Sequence, residues 1–222
     1  MEIFSLPYTT KVNRVIPKNA FDNYTNTKQK KLFTDCIARI TWTHKISTDT
    51  VNLDFKDIKE IQVFTVELKV KEDIKQVLDI IDKAIPYIII FIVVYDSQIY
   101  FSTSAKHQHP LNEHNAIVDW TFKTGWFQLP DNQYKLQLKK SLDAVYLDFC
   151  AQLSISGKLS PHSLQKLIDF EKNIFSLQKE IAKVKSAMTN SRQFNEKVEL
   201  NLKLKRLEKE LNTIHPPSSD SL

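Results

Sequence analysis

Two glycines, Gly125 and Gly157, are all that this chain of 222 residues contains. Ordinary usage would supply about fifteen. Glycine is the residue that tolerates positive φ and close backbone approach, so its shortage limits the loops the chain can build. A phosphate-cradling loop, a dinucleotide-binding turn or a nucleophile elbow each needs glycines within a few residues of one another. Gly125 and Gly157 lie too far apart to write any of them. Nucleotide-binding enzymes of the P-loop, Rossmann and kinase types are therefore excluded, and so are α/β-hydrolases. Packed helices and strands joined by short connections remain.

The two cysteines, Cys36 and Cys150, are isolated from each other in apolar surroundings. They form neither a disulfide framework nor a zinc knuckle, and the expectation is two buried thiols in a reducing cytoplasm. The start, Met1-Glu-Ile-Phe-Ser-Leu-Pro7, has no basic region followed by a long apolar one, so no signal peptide is expected. The apolar run Ile85–Tyr95 falls short of the ~20 residues a membrane helix needs and reads as a buried strand. A soluble protein with no membrane partner is expected. Net charge is +5, and most of it is local: residues 161–214 hold 11 Lys/Arg and 7 Asp/Glu, a surplus of +4. That bias suits an acidic protein partner or nucleic acid, or simply a solvated helical face.

Periodicity divides the chain in two. Residues 1–20 read as irregular around Pro7 and Pro17. The spacing predicts a helix over 25–40, then strands at 40–46 and 60–70, a helix over 73–84, and a strand to Tyr95 that turns at Asp96-Ser97 into another over 99–105. Residues 106–135 read as loop-rich, and 134–153 as a helix. This order predicts an α/β fold, a mixed-sheet sandwich domain over residues 1–153, with 154–160 as linker. Beyond it, Leu167, Phe170, Ile174, Leu177, Ile181, Val184 and Met188 recur at steps of three and four, the seam of a coiled coil. A second seam, Leu200, Leu204, Leu207, Leu211 and Ile214, is out of phase with the first. The break falls at Thr189-Asn-Ser191, whose residue types favour turns and N-caps. The reading is a C-terminal antiparallel two-helix coiled-coil hairpin over 161–214, with a disordered tail over 215–222.

Several stretches together resemble a known family. They are Leu6-Pro7, Thr10-Lys-Val12, Ile16-Pro-Lys18, Trp42, Ile61-Gln-Val-Phe-Thr-Val-Glu-Leu-Lys69, Ile81-Asp-Lys-Ala-Ile-Pro-Tyr87 and Arg192-Gln-Phe-Asn-Glu-Lys-Val-Glu-Leu-Asn201. In this order they resemble the bacterial domain of unknown function 4391 across nearly the whole chain, and Trp126 takes the place of that family's late tryptophan. The family has no established activity. The resemblance implies a setting beside helicases and DNA methyltransferases in restriction or phage-defence clusters. Together with the hairpin, that setting gives the expectation of a non-catalytic accessory or adaptor subunit that docks such a partner or a second copy of itself, the competing reading being a self-contained arm packed on its own domain.

Four groups of residues carry candidate chemistry. Glu67 and Lys69, two apart on one strand face, match the second half of the metal site of PD-(D/E)XK nucleases, in which acids hold Mg²⁺ and a lysine assists the attacking water. Asp54 would have to supply the other acid, and a structural ion pair is the competing reading. No cofactor is expected except Mg²⁺ under that alternative. Lys11, Arg14 and Lys18 beside Tyr8 form a basic arm suited to nucleic-acid phosphates, or to docking on its own domain. Phe170, Phe175, Arg192 and Phe194 are bulky for a self-contained two-helix seam and are the candidate partner contacts. His107, His109 and His114 with Glu113 have borderline metal spacing in a loop without cysteine, and no metal site is assigned to them.

Overall fold

A computed structural model of the chain describes residues 3–155 and 163–214, with the backbone alone for 112–115. Two compact units result, divided between Leu164 and Gln165. Gly157, most of the expected linker and the expected disordered tail lie outside the described residues.

The first unit is a mixed sheet of seven strands: β1 (Lys11–Val15), β2 (Ile37–Ser47), β3 (Glu60–Leu68), β4 (Ile88–Tyr95), β5 (Gln98–His109), β6 (Asn112–Lys123) and β7 (Phe127–Gln128). They run β1-β2-β3-β4-β5-β6 across the sheet, and β7 pairs the start of β5 beyond the end of β6. Only β3 and β4 are parallel. Parallel neighbours need a crossover, supplied here by α3 (Lys75–Ala84). The other helices of this unit are α1 (Thr27–Cys36), the single turn α2 (Thr48–Val51) and α4 (Leu142–Leu153).

Period two gives the central strands two apolar faces. Phe64, Val66, Phe91 and Val93 meet Phe33, Val77 and Ile81 of α1 and α3 on one side. On the other side, Phe101 packs against Phe149 of α4 at 5.8 Å and against Phe4 at 5.3 Å between ring centroids. At about 1.5–3 kcal/mol per fully buried large apolar side chain, these two faces supply most of the drive to fold.

Four expectations change, each for a local reason. The first helix ends at Cys36 rather than Ile40: Asn26 and Gln29 form a capping box at its start, and the sheet claims Ile37 opposite Leu68. Residues 106–135 are not loop-rich. β5 runs on to His109 and pairs with β6 through the turn at Pro110-Leu111, because Ala116, Val118, Trp120 and Phe122 alternate. Residues 134–141 are irregular, with Lys140 at a φ of 67°, and α4 begins only at Leu142, capped by the Ser141 hydroxyl, which accepts from the Ala144 N–H at 3.2 Å. The supposedly irregular N-terminus contains β1, paired antiparallel to β2.

Asp143, in the first turn of α4, ties down the segment that precedes β3. Its carboxylate accepts the N–H groups of Lys56 (2.7 Å), Asp57 (3.0 Å) and Ile58 (3.1 Å). Burial pushes this carboxyl up, but those bonds outweigh it and hold the pKa below the usual carboxylate range. A folded pKa below the unfolded one contributes stability that is present above about pH 4 and drains away as pH falls through the folded value. Asp143→Asn should therefore cost about 1–2 kcal/mol at pH 7. The gap between variant and parent should shrink below about pH 4, as read by urea denaturation across that range.

The second unit comprises α5 (Leu164–Asn190) and α6 (Phe194–Ile214), separated by three residues. Leu177, Ile181 and Val184 of α5 form a buried cluster with Leu207, and Met188, Leu200, Leu204, Leu211 and Ile214 pack around it. Ion pairs flank the cluster, Lys203–Glu180 at 2.7 Å and Lys185–Glu208 at 3.0 Å.

Candidate functional site

The sequence-derived acids do not converge. Glu67 lies near the end of β3 and meets Arg39 across the ladder, with 3.9 Å between Oε1 and Nε. Asp54 lies before the opposite end, in a backbone bridge to Ser141, and its carbonyl accepts the Leu142 N–H at 2.9 Å. Seven residues of strand at ~3.3 Å each separate the two ends, roughly 23 Å. Lys69 has left the strand. Its Nζ donates to the Thr34 carbonyl at 2.7 Å, its backbone N–H donates to that of Cys36, and Lys18 Nζ donates to that of Ile37 at 2.6 Å. These are carbonyls at the end of α1 that no helical N–H can reach, so two lysines serve as its C-terminal cap. Burial and then the like charge of Lys69 draw the Lys18 ammonium below the usual lysine value. Glu67→Gln with Lys69→Met should cost no more than about 1–2 kcal/mol, since the Arg39–Glu67 pair is solvent-exposed.

Lys11 and Arg14 stay exposed on the edge strand, with Lys11 Nζ 5.8 Å from the Tyr8 ring centre. The basic arm is thus divided: two cations face outward and Lys18 turns in. His107 Nδ1 lies 2.9 Å from Asp119, and no three His, Cys, Asp or Glu side chains among the described residues are grouped to hold a metal ion.

A cavity of about 610 Å³ opens between α3 and the β5–β6 edge of the sheet. Beside it sits a buried ion pair. Lys106, with a side chain 0% exposed, donates to Asp82 Oδ1 (3.0 Å), to the Asp82 carbonyl (2.8 Å) and to the Ile85 carbonyl (2.8 Å). All three of its protons are used, and the last turn of α3 is capped. The second Asp82 oxygen accepts the Ser104 hydroxyl at 2.6 Å, which leaves Ser104 to accept from Thr121 at 3.0 Å. Burial pushes the Asp82 carboxyl up and the Lys106 ammonium down, and in each case the partner's charge opposes the shift. The network pins α3 to the sheet and fixes one end of the cavity.

The rest of the wall comes from the face of β5 that carries Tyr100 and Ser102, and from Trp126 after β6. The Tyr100 and Trp126 rings meet edge to face at 4.6 Å. Lys71 Nζ lies 5.2 Å from the Trp126 ring centre and donates to the Gln98 side chain. Burial and then the charge of Asp73 push the Tyr100 phenol up, so it remains a donor at neutral pH. Gly125 borders the cavity as well, although a Cβ there would meet nothing within 4 Å.

On the second unit, Phe194, Val198 and Leu202 of α6 are 79%, 44% and 53% exposed. At about 100° per residue they form one stripe, roughly 160° around the helix from the Leu200–Ile214 seam. Lys205 and Lys209 continue that stripe toward the C-terminus, with Arg206 beside it. Of the other expected contact residues, Phe170 is half-buried, while Phe175 and Arg192 are exposed.

The sequence profile of the domain of unknown function (DUF4391) matches residues 4–211. The chain belongs to this family. No curated protein and no solved structure matches it. No described helix is long and apolar enough to cross a membrane.

Within this DUF4391 chain, sequence reasoning missed the Asp82–Lys106 pair and the cavity beside it. One signal was present. Tyr100, Ser102, Ser104 and Lys106 alternate with Ile99, Phe101, Thr103 and Ala105, so one face of a central strand is lined with polar groups. A polar row on an interior strand requires partners or a cavity.

Proposed function

We propose that this protein is a non-catalytic adaptor of a bacterial DNA-processing assembly of the restriction or phage-defence kind. Its C-terminal helices form an antiparallel coiled-coil hairpin and dock a helicase or DNA methyltransferase subunit. The observation that carries the reading is the outward stripe of α6. A two-helix unit needs one apolar seam per helix, and α6 has that seam in Leu200, Leu204, Leu207, Leu211 and Ile214. Phe194, Val198 and Leu202 form a second stripe on the opposite side. Exposed apolar side chains aligned at i, i+4 and i+8 are the anchors of helix-in-groove recognition. Lys205, Arg206 and Lys209 complement an acidic rim on the partner. The stripe also begins inside Arg192–Asn201, one of the stretches on which the family resemblance rests.

The α/β unit supports an adaptor rather than a nuclease. Asp54, Glu67 and Lys69 do not share a cleft, and Lys69 serves as a helix cap. Cytoplasmic localisation belongs to the same proposal, resting on the isolated thiols Cys36 and Cys150, both buried. The test is purification of the tagged full-length chain from its native host, with identification of co-eluting proteins by mass spectrometry. A helicase or DNA methyltransferase in stoichiometric amount is the expected result. Recovery of the chain alone would overturn the reading.

A further inference from the structure

The cavity between α3 and β5 has two poles of opposite charge. At one, Lys123 projects from β6 directly opposite Ser102 in the ladder, so both side chains emerge on the same face. The Lys123 ammonium makes no ion pair or hydrogen bond among the described residues. The Ser102 hydroxyl, on a residue 4% exposed, also has no partner among them, although it opens into the cavity. That oxygen is reached from the cavity and can donate to a group that enters it. Tyr100 lies two residues along the same face, and its phenol feels the Asp73 carboxylate. A hydroxyl donor and an ammonium therefore line the place where an anionic group would sit.

The other pole is Asp73. One of its carboxylate oxygens accepts the Lys75 N–H at 2.9 Å, and the other has no partner among the described residues. Among the other charges on the wall, Lys75 pairs with Asp79 at 2.6 Å and Asp82 with Lys106 at 3.0 Å, while Glu72 meets the Cys36 thiol at 3.7 Å. Lys71 occupies the Trp126 face, so that ring is no free seat for an external cation or base. Leu78 and the Tyr100 and Trp126 rings supply the apolar part of the wall. The volume, about 610 Å³, lies within the range of small-molecule sites.

We propose that this cavity binds a small zwitterion, a free amino acid with an apolar side chain, whose carboxylate meets Lys123 and Ser102 and whose ammonium meets Asp73. The side chain lies along Leu78 and the aromatic edges. Such a site would make the α/β unit a sensor of a metabolite, independent of what the helices dock.

The test is titration of the full-length chain with the apolar L-amino acids, phenylalanine among them. Their amine-only and acid-only analogues, phenethylamine and 3-phenylpropionate for phenylalanine, serve as controls. Binding is followed by calorimetry and by the indole N–H signal of Trp126. One-site binding of at least one amino acid is expected, with both of its analogues weaker by about tenfold or more. Lys123→Met and Asp73→Asn should each weaken it by a similar factor. Both positions are exposed, and an unchanged melting temperature verifies that the variants remain folded. Absence of saturation by any of these amino acids at about 10 mM would overturn the proposal. So would an analogue binding as tightly as its parent, or binding unchanged in both variants.

Discussion

Lys106→Met should destabilise the α/β unit by about 3–5 kcal/mol, because it strands the Asp82 carboxylate in a site where its side chain is 3% exposed. It also leaves the Ile85 carbonyl and that of Asp82 without the ammonium they share. For a unit of this size the loss corresponds to roughly 10 °C in melting temperature. The companion Asp82→Asn/Lys106→Met removes both charges and keeps an acceptor for Ser104, so it should recover more than half of the deficit. Chemical denaturation of the two variants beside the parent measures this directly. A single-variant loss below about 1 kcal/mol would show that water reaches the pair, and its role in pinning α3 would fall.

The second large effect concerns the outward face of α6. Phe194→Asp with Leu202→Asp places two carboxylates on positions that are mostly solvent-exposed in the free chain. The seam toward α5 does not use them, so melting of the isolated protein should change by less than about 1 kcal/mol. In a complex, each aspartate would have to be desolvated against an apolar groove, and removal of such anchors costs at least about 2 kcal/mol apiece. Binding to the partner should fall by at least a hundredfold, which abolishes recovery of the complex in a pull-down. Lys205→Glu with Lys209→Glu should act more gently, slowing association and weakening its salt dependence.

Much of this fold is legible in the amino-acid sequence because apolar spacing dictates it. Val77, Leu78 and Ile81 mark the inner face of α3, and the two out-of-phase apolar series mark α5 and α6 with a break near Ser191. The misreadings have specific causes. Leu138, Leu142, Val145 and Phe149 fit a helical step, but Tyr134, Leu136 and Leu138 fit a strand step equally well, and Ser141 capping α4 decides between them. Ile37 and Ile40 continue the helical face of α1, yet both are β-branched and the β2–β3 ladder claims them. Charges were the least legible. Lys18 and Lys69 read as a phosphate contact and a catalytic ammonium, and both cap a helix whose end is fixed only by the sheet. Asp82 and Lys106 are joined by the packing of α3 on β5, which no local pattern announces.

Hydrogen–deuterium exchange of the native complex against the free chain tests the docking role most directly. Protection on binding should concentrate on α6, over residues 194–209, and leave the amides of β1 and of the α3–β5 cavity at their free-chain rates. Protection confined to β1 or to that cavity, with α6 exchanging as it does in the free chain, would contradict the adaptor account.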